Sequence, residues 1–200
     1  MRMPFDSAFR ISSGYGARID PLDSSESWHG GVDLVSADRY VRTVIGGSVL
    51  VSRIVTDPAD RTSEWGNYVC IHGDDNMMIY YCHLAARAAE AGRRVEAGQV
   101  IGIEGATGRA TGVHLHFEVR TPGGIQTDPC RYLGIPNAVG YTWVPPKPWE
   151  AQASDWAREA VSWAVEKGIL KGRGGDDYAL GEPVTREELC VMLWRAREVL

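Results

Sequence analysis

No stretch of the 200 residues approaches the roughly 18 consecutive apolar positions that a membrane-crossing helix needs. The first ten residues carry Arg2 but no apolar run of the roughly 7–15 residues that a secretory leader contains. A basic surplus is missing as well. Twenty-one Lys and Arg stand against 26 Asp and Glu, for a net charge of -5, which argues against a nucleic-acid partner. Cysteine is scarce, with Cys70, Cys82, Cys130 and Cys190, and no two of them form a C-x-x-C pair. That argues against a structural zinc–thiolate site and, in a chain of this length, against a disulfide framework. Buried free thiols are the expectation. What remains is an ordinary globular composition with 44% hydrophobic residues, enough for one good core and a smaller second unit.

The period of the pattern changes along the chain. Up to about residue 140, Gly-containing turns separate short β-branched runs at 40–45, 48–54 and 68–72. Segment 66–84 reads as a hairpin turning on Gly73-Asp74-Asp75-Asn76, a register that keeps Cys70 and Cys82 from facing each other. A strand is expected over 113–120 and a short helix over 85–91. Residues 141–149 hold Pro145, Pro146 and Pro148, which favour a stiff, extended interdomain linker. A terminal strand of the first domain is the alternative for 141–144. Beyond it the period is helical. Residues 154–167 place Trp156, Ala160, Trp163 and Ala164 on one face, and Gly168 is a natural stop. Thr185 and Glu188 form a capping box opening a second helix over 186–199, with Leu189, Met192, Leu193 and Ala196 as its apolar stripe. The aromatic residues of these helices are expected to be core rather than a ligand platform. The expected domains are 1–140, mainly β, and 150–200, small and α-helical, joined by the linker 141–149.

Four of the five histidines occur in three settings. In His29-Gly30-Gly31-Val32-Asp33, two glycines let an imidazole and a carboxylate four residues apart converge. Both are good zinc ligands at about 2.0–2.2 Å. In His114-Leu115-His116-Phe117-Glu118-Val119, strand alternation sends His114 and His116 to one cleft and Leu115, Phe117 and Val119 to the core. His83 follows a strand end and is a candidate acid or base. His72 precedes a turn glycine and reads as a turn residue. A catalytic zinc takes three protein ligands and leaves a position for water. Of the five candidates His29, Asp33, His83, His114 and His116, at most three bind metal and two remain to handle protons. Spacing does not decide which.

These motifs carry a likeness to a known family. The chain resembles the lysostaphin/LytM-type zinc peptidases that cut peptidoglycan peptides. The likeness covers about residues 10–133. It includes Ser13-Gly14-Tyr15-Gly16-Ala17-Arg18, the His29–Asp33 motif, Gly66-Asn67-Tyr68-Val69, Tyr81-Cys82-His83-Leu84, Gly98-Gln99-Val100-Ile101-Gly102, Gly105-Ala106-Thr107-Gly108 and the segment Thr111–Glu118. The resemblance implies that His29, Asp33 and His116 bind Zn2+ and that His83 and His114 are catalytic histidines beside the metal water. It implies compact antiparallel β-sheets with the site in a groove walled by loops. Loops 20–28 and 57–65 are the expected walls, with Tyr15, Arg18 and Trp65 as substrate contacts. Cys82 stands where the family commonly has a small residue, and Val113 where proline is frequent. Neither touches an implied ligand.

The tail resembles a single S-layer-homology repeat, on Trp156–Leu170 and Pro183–Glu188. Such repeats usually act in threes on cell-wall polymers. One repeat implies weak contact with a secondary cell-wall polymer, or homo-oligomers formed through residues 150–200. The layout leads to a functional expectation: a phage-type endolysin, made in the host cytoplasm without a signal peptide and released onto a Gram-positive wall, with peptidoglycan as partner and neither nucleic acid nor membrane. The alternatives are a bacterial wall-remodelling hydrolase and a non-catalytic wall-binding scaffold with a structural metal.

Overall fold

A computed structural model describes residues 1–60, 62–173, 177–197 and 199. It divides into two compact units, Met1–Pro145 and Pro146–Leu200. The first is built of antiparallel strands. In chain order these are β1 Phe9–Ser13, β2 Gly16–Ile19, β3 Glu26–His29, β4 Val32–Ser36, β5 Tyr40–Arg42, β6 Gly47–Arg53 and β7 Tyr68–Gly73. They continue as β8 Met78–Cys82, β9 Ala86–Arg87, β10 Arg94–Val95, β11 Val100–Ile103, β12 Leu115–Arg120, β13 Gln126–Thr127 and β14 Thr142–Trp143. The main sheet runs β10-β6-β7-β8-β12-β4-β1-β14, with β13 added beside β12. Strands β5, β11 and β9 form a second sheet, and β2 and β3 form a separate hairpin.

Strand β12 sits between β4 and β8, and its alternation positions the site. Leu115, Phe117 and Val119 are fully buried in a core that includes Phe9, Ile11, Leu34, Ile71, Ile79 and Tyr81. The opposite parity sends His116 and Glu118 to the other face. Register then pairs His116 with Asp33 of β4 on one side and with Cys82 of β8 on the other. A one-residue slip would send Phe117 to the cleft and His116 into the core, so burial of the apolar set locks the site's register.

The β7–β8 hairpin turns on the expected residues: Asn76 has φ 68° and donates its N–H to Gly73 O at 2.8 Å. Cys70 lies opposite Tyr80, and all four cysteines are free. Burial pushes the Cys70 thiol up to about 11. No helix forms over 85–91. Ala86 and Arg87 pair with β11 instead, because Ala85 and Ala88 donate to Ile103 and Ile101 across the second sheet. A short helix α1, Pro129–Leu133, opens instead at Asp128, whose side chain caps Cys130 N and Arg131 N.

The linker begins later than residue 141. Ile11 N donates to Tyr141 O, β14 pairs with β1, and Trp143 stacks on Phe9 with ring centroids 5.3 Å apart. Burying that aromatic contact holds the segment to the first unit, which runs to Pro145.

Among its described residues the second unit has two α-helices, α2 Arg158–Glu166 and α3 Arg186–Ala196. The capping box is present: Glu188 N donates to Thr185 Oγ1 at 3.1 Å and Thr185 N to Glu188 Oε2 at 2.8 Å. The helix expected over 154–167 begins as a 3-10 turn, Asp155–Ala157, and ends before Gly168, which takes the left-handed φ of 69°. The aromatics expected to be core, Trp156 and Trp163, are exposed, as are Leu189 and Leu193, while Ala164, Met192 and Ala196 are half-buried. Trp156 is 90% exposed and Leu193 63%, and Ala153 and Ile169 are the only buried apolar residues among the described ones of this unit. Two short helices cannot cover each other's apolar faces. No described helix is long and apolar enough to cross a membrane.

Candidate metal centre and cleft

Three elements bring His29, Asp33 and His116 together. His29 ends β3, Asp33 lies in β4, and His116 lies in β12. All three are buried. The chain between the first two passes through Gly30 and Gly31, and Gly31 must lack a side chain because a Cβ there would also lie 2.6 Å from the Phe117 carbonyl. A Cβ on Gly31 would lie 2.6 Å from His116 Cε1, and one on Gly30 would lie 2.0 Å from Gln126 Nε2. Close approach of β12 therefore accounts for Gly31, whereas Gly30 meets only the movable Gln126 amide of β13. Gly31→Ala is expected to displace the His116 ring and lower both divalent-metal affinity and melting temperature, with a stability cost of about 1–3 kcal/mol. Calorimetric titration and thermal melts measure this; unaltered values in both would refute the close-packing account.

The donor atoms form a small triangle. His116 Nδ1 is 2.9 Å from Asp33 Oδ1 and 3.0 Å from His29 Nε2, and His29 Nε2 is 3.2 Å from Asp33 Oδ1. His29 Nδ1 lies 2.7 Å from the Gly14 carbonyl, which can only accept, so Nδ1 carries the proton and Nε2 presents its lone pair. That lone pair faces a carboxylate oxygen. Two acceptors so close are stable only with a cation between them. In the metal-free chain the cation is the His116 proton. Burial opposes it, but the Asp33 hydrogen bond and the Asp33 and Glu118 carboxylates outweigh burial and push His116 up to about 9. Burial likewise acts to raise Asp33, and the hydrogen bond from His116 holds it far below the usual carboxylate range. Two nitrogens and one oxygen fit zinc, whose tetrahedral ligands at about 2.0 Å lie about 3.3 Å apart.

His83 and His114 stand beside this triangle, with ring centroids 4.7 Å apart. His83 Nδ1 donates to Thr107 O at 2.8 Å and His114 Nδ1 to Gly112 O at 2.9 Å, so Nε2 is the free nitrogen of each. His114 Nε2 lies 3.6 Å from Asp33 Oδ1. Burial and the neighbouring His116 and His114 rings push His83 down to about 4, which leaves it neutral at pH 7. Its backbone has φ 62°, a left-handed conformation costly for a non-glycine residue. It is held there by His83 N donating to Trp65 O and by the ring bond to Thr107.

The cleft over these residues holds about 370 Å3 and is lined by the β2–β3 hairpin, by Glu64 and Trp65, by residues 109–111 and by the five His/Asp residues. Walls from 20–28 and 57–65 were expected; of the second, Glu64 and Trp65 line the cleft, and the wall from 109–111 was not expected. Arg18 lies in the cleft, but its guanidinium is engaged, 2.7 Å from Ser13 Oγ and 3.4 Å from Asp33 Oδ2. Trp65 lines it as well, packed on Tyr68 and Tyr80. Tyr15 does not. Its hydroxyl points to Gln126 O at 3.5 Å and its ring packs edge-on against Trp28. Trp28, 63% exposed on the cleft wall, was not singled out by the sequence. Glu118 was also passed over, although strand parity with His116 could have found it. Its Oε2 stands 3.8 Å from His116 Nε2, and its Oε1 accepts from Arg120 Nε at 2.6 Å and Gln126 Nε2 at 2.7 Å.

Comparison with known proteins decides the family, since residues 27–129 match Peptidase family M23. The chain belongs to that family. Residues 151–190 match the S-layer homology domain. Over 120 residues the M23 chain is 36% identical to the peptidoglycan DD-endopeptidase ShyA of Vibrio cholerae, an alignment covering 59% of this chain and 26% of that one. It spans about a quarter to a third of the length of the curated relatives it matches. Among solved structures, the catalytic domain of the antimicrobial peptidase lysostaphin from Staphylococcus simulans is 25% identical, with a TM-score of 0.53 over 63% of this chain and 92% of that one. A mutant catalytic domain of the prophage-encoded M23 protein EnpA from Enterococcus faecalis is 27% identical, with a TM-score of 0.52 over 64% and 94%.

Proposed function

We propose that the chain is a zinc-dependent endopeptidase that hydrolyses an amide in the peptide part of bacterial peptidoglycan. The triangle of His29 Nε2, Asp33 Oδ1 and His116 Nδ1 is the observation that carries this reading. Similarity to a peptidoglycan DD-endopeptidase supports the substrate. Zinc held by these three residues would polarise the scissile carbonyl and bring the pKa of a bound water to about 7.

The remaining steps belong to the chain. His83 and His114 each hold Nδ1 on a backbone carbonyl and turn Nε2 away from it, and His83 is neutral at pH 7. One takes a proton from the attacking water, and the pair returns a proton to the leaving amine. Glu118 stands behind His116 and orients its ring. A non-catalytic metal scaffold would need neither His83 nor His114. Incubating purified cell walls with the zinc-loaded chain, with turbidity followed and new amino groups located by mass spectrometry, tests the reading. No new amino groups on walls of several cross-bridge chemistries would overturn it.

The finer setting is an endolysin acting on Gram-positive walls after release from the cytoplasm that made it. Similarity to a prophage-encoded M23 protein supports this, as does a peptidase unit sharing a chain with an S-layer homology domain. Residues 150–200 would add contact with a secondary cell-wall polymer, alone or as a homo-oligomer. Their deletion is expected to weaken wall binding in a pull-down.

Metal affinity should follow pH in a definite direction. His116 is raised to about 9 in the metal-free chain, so at pH 7 it holds a proton that zinc must displace. Zinc affinity is therefore expected to rise about tenfold per pH unit between pH 7 and 9 and then to level. Calorimetry in buffers of different ionisation enthalpy reads the released proton. No proton release at pH 7 would refute the assignment.

A further inference from the structure

The β2–β3 hairpin pairs with neither larger sheet. One end is rooted at the metal centre: Gly16 lies opposite His29, and the His29 ring donates to Gly14 O. The tip, residues 20–25, is about four residues or roughly 13 Å further along the strands. There Arg109 holds it. Arg109 Nη1 donates to Asp20 Oδ2 at 2.7 Å, and Nη2 donates to Asp20 Oδ1 at 3.1 Å and Asp23 Oδ2 at 3.0 Å. Both carboxylates are prearranged, Asp20 by accepting from Leu22 N and Asp23 by accepting from Ser25 N and Oγ.

Arg109 itself stands on a stiff base. It belongs to the segment between β11 and β12, whose far end is His114. In that segment Thr107 Oγ1 donates to Leu84 O and accepts from Asn67 N. Gly66 and Gly108 are so close that a Cβ on either would meet backbone of the other wall, at 2.3 and 2.4 Å. Arg109 N donates to Glu64 O at 2.9 Å. Hairpin and segment thus meet through Asp20, Asp23 and Arg109, and both Asp20 and Arg109 line the cleft. With two carboxylates on its guanidinium, Arg109 is already neutralised and is poorly suited to bind an anionic substrate group.

We propose that Arg109, with Asp20 and Asp23, is a latch that sets substrate specificity by closing one end of the cleft. A slender linear peptide enters freely, and a branched, cross-linked peptide enters fully only when the latch opens. This rests on the peptidase reading above. The Arg109 side chain is 36% exposed, so salt weakens the latch.

The test compares kcat/KM for a linear five-residue stem-type peptide and for the dimer formed by cross-linking two of them. The full zinc-loaded chain and its Arg109→Ala and Asp20→Asn variants are assayed from about 0.05 to about 0.5 M salt. The dimer-to-linear ratio is expected to rise about two- to fivefold in Arg109→Ala. The unaltered chain should show a salt-dependent rise in that ratio, which the variant lacks, and zinc content should stay the same. An unchanged ratio, or equal losses on both substrates, overturns the proposal. If the unaltered chain cleaves neither substrate, the peptidase reading falls and the specificity claim with it. Hydrogen exchange at Leu22 and Ser25 then still reads the contact: faster exchange in Arg109→Ala supports the latch as a structural tie, and unchanged exchange removes it.

Discussion

Replacing His114 with alanine is expected to leave zinc in place and reduce hydrolysis by roughly 10²–10⁴-fold, the usual contribution of a positioned acid or base. The reason lies in the two sets of nitrogens. His29 and His116 point nitrogens at Asp33 Oδ1 within 3.2 Å, whereas His114 Nε2 stands further off at 3.6 Å, with its ring fixed by Gly112 O. His83→Ala is expected to behave in the same way, because its ring is fixed by Thr107 O and stays neutral at pH 7. His83 carries one further consequence. Its φ of 62° is unfavourable for any side chain, so removing the imidazole removes one of the two bonds that hold the strained backbone. Metal content measured alongside turnover separates the roles. Loss of zinc in His114→Ala would make it a ligand, and retained turnover would remove it from the chemistry.

Asp33→Ala is expected to abolish both zinc binding and the stabilisation that zinc confers. Bound at about 1,000 times its dissociation constant, an ion stabilises the folded chain by about 4 kcal/mol. For a unit of this size that raises the melting temperature by roughly 10 °C. Asp33 is the one anionic donor of the triangle, and both histidine nitrogens converge on its Oδ1. Without it, the two imidazoles face each other with no carboxylate between them. The variant should therefore melt at one temperature with or without zinc, whereas the unaltered chain shows the full shift. A zinc-dependent shift persisting in Asp33→Ala would show that the metal is held elsewhere.

The sequence reached the fold and the site by different routes. Alternation in 113–120 was enough to put Leu115, Phe117 and Val119 in the core and His116 in the cleft, because a strand has only two faces. The cap at Thr185 and the turn at Gly73–Asn76 were also readable, since each is satisfied by atoms within a few residues. Helix 85–91 failed because local propensity yielded to a cross-strand partner, Gly102–Ile103, that lies far off in sequence. The linker started too early for a similar reason. Trp143 finds Phe9, and nothing near Trp143 announces it.

What the sequence determined alone was a metal-capable set of five residues and the parity that turns His114 and His116 away from the core. Family likeness divided that set into ligands and proton carriers, a division that spacing left open. Tertiary structure alone decided which nitrogen of each ring is free, because tautomers are set by the carbonyls of Gly14, Thr107 and Gly112. It alone joined Arg109 to Asp20 and Asp23 across 86 to 89 residues of chain. Such contacts depend on where loops end in space, and loops carry no period from which that can be read.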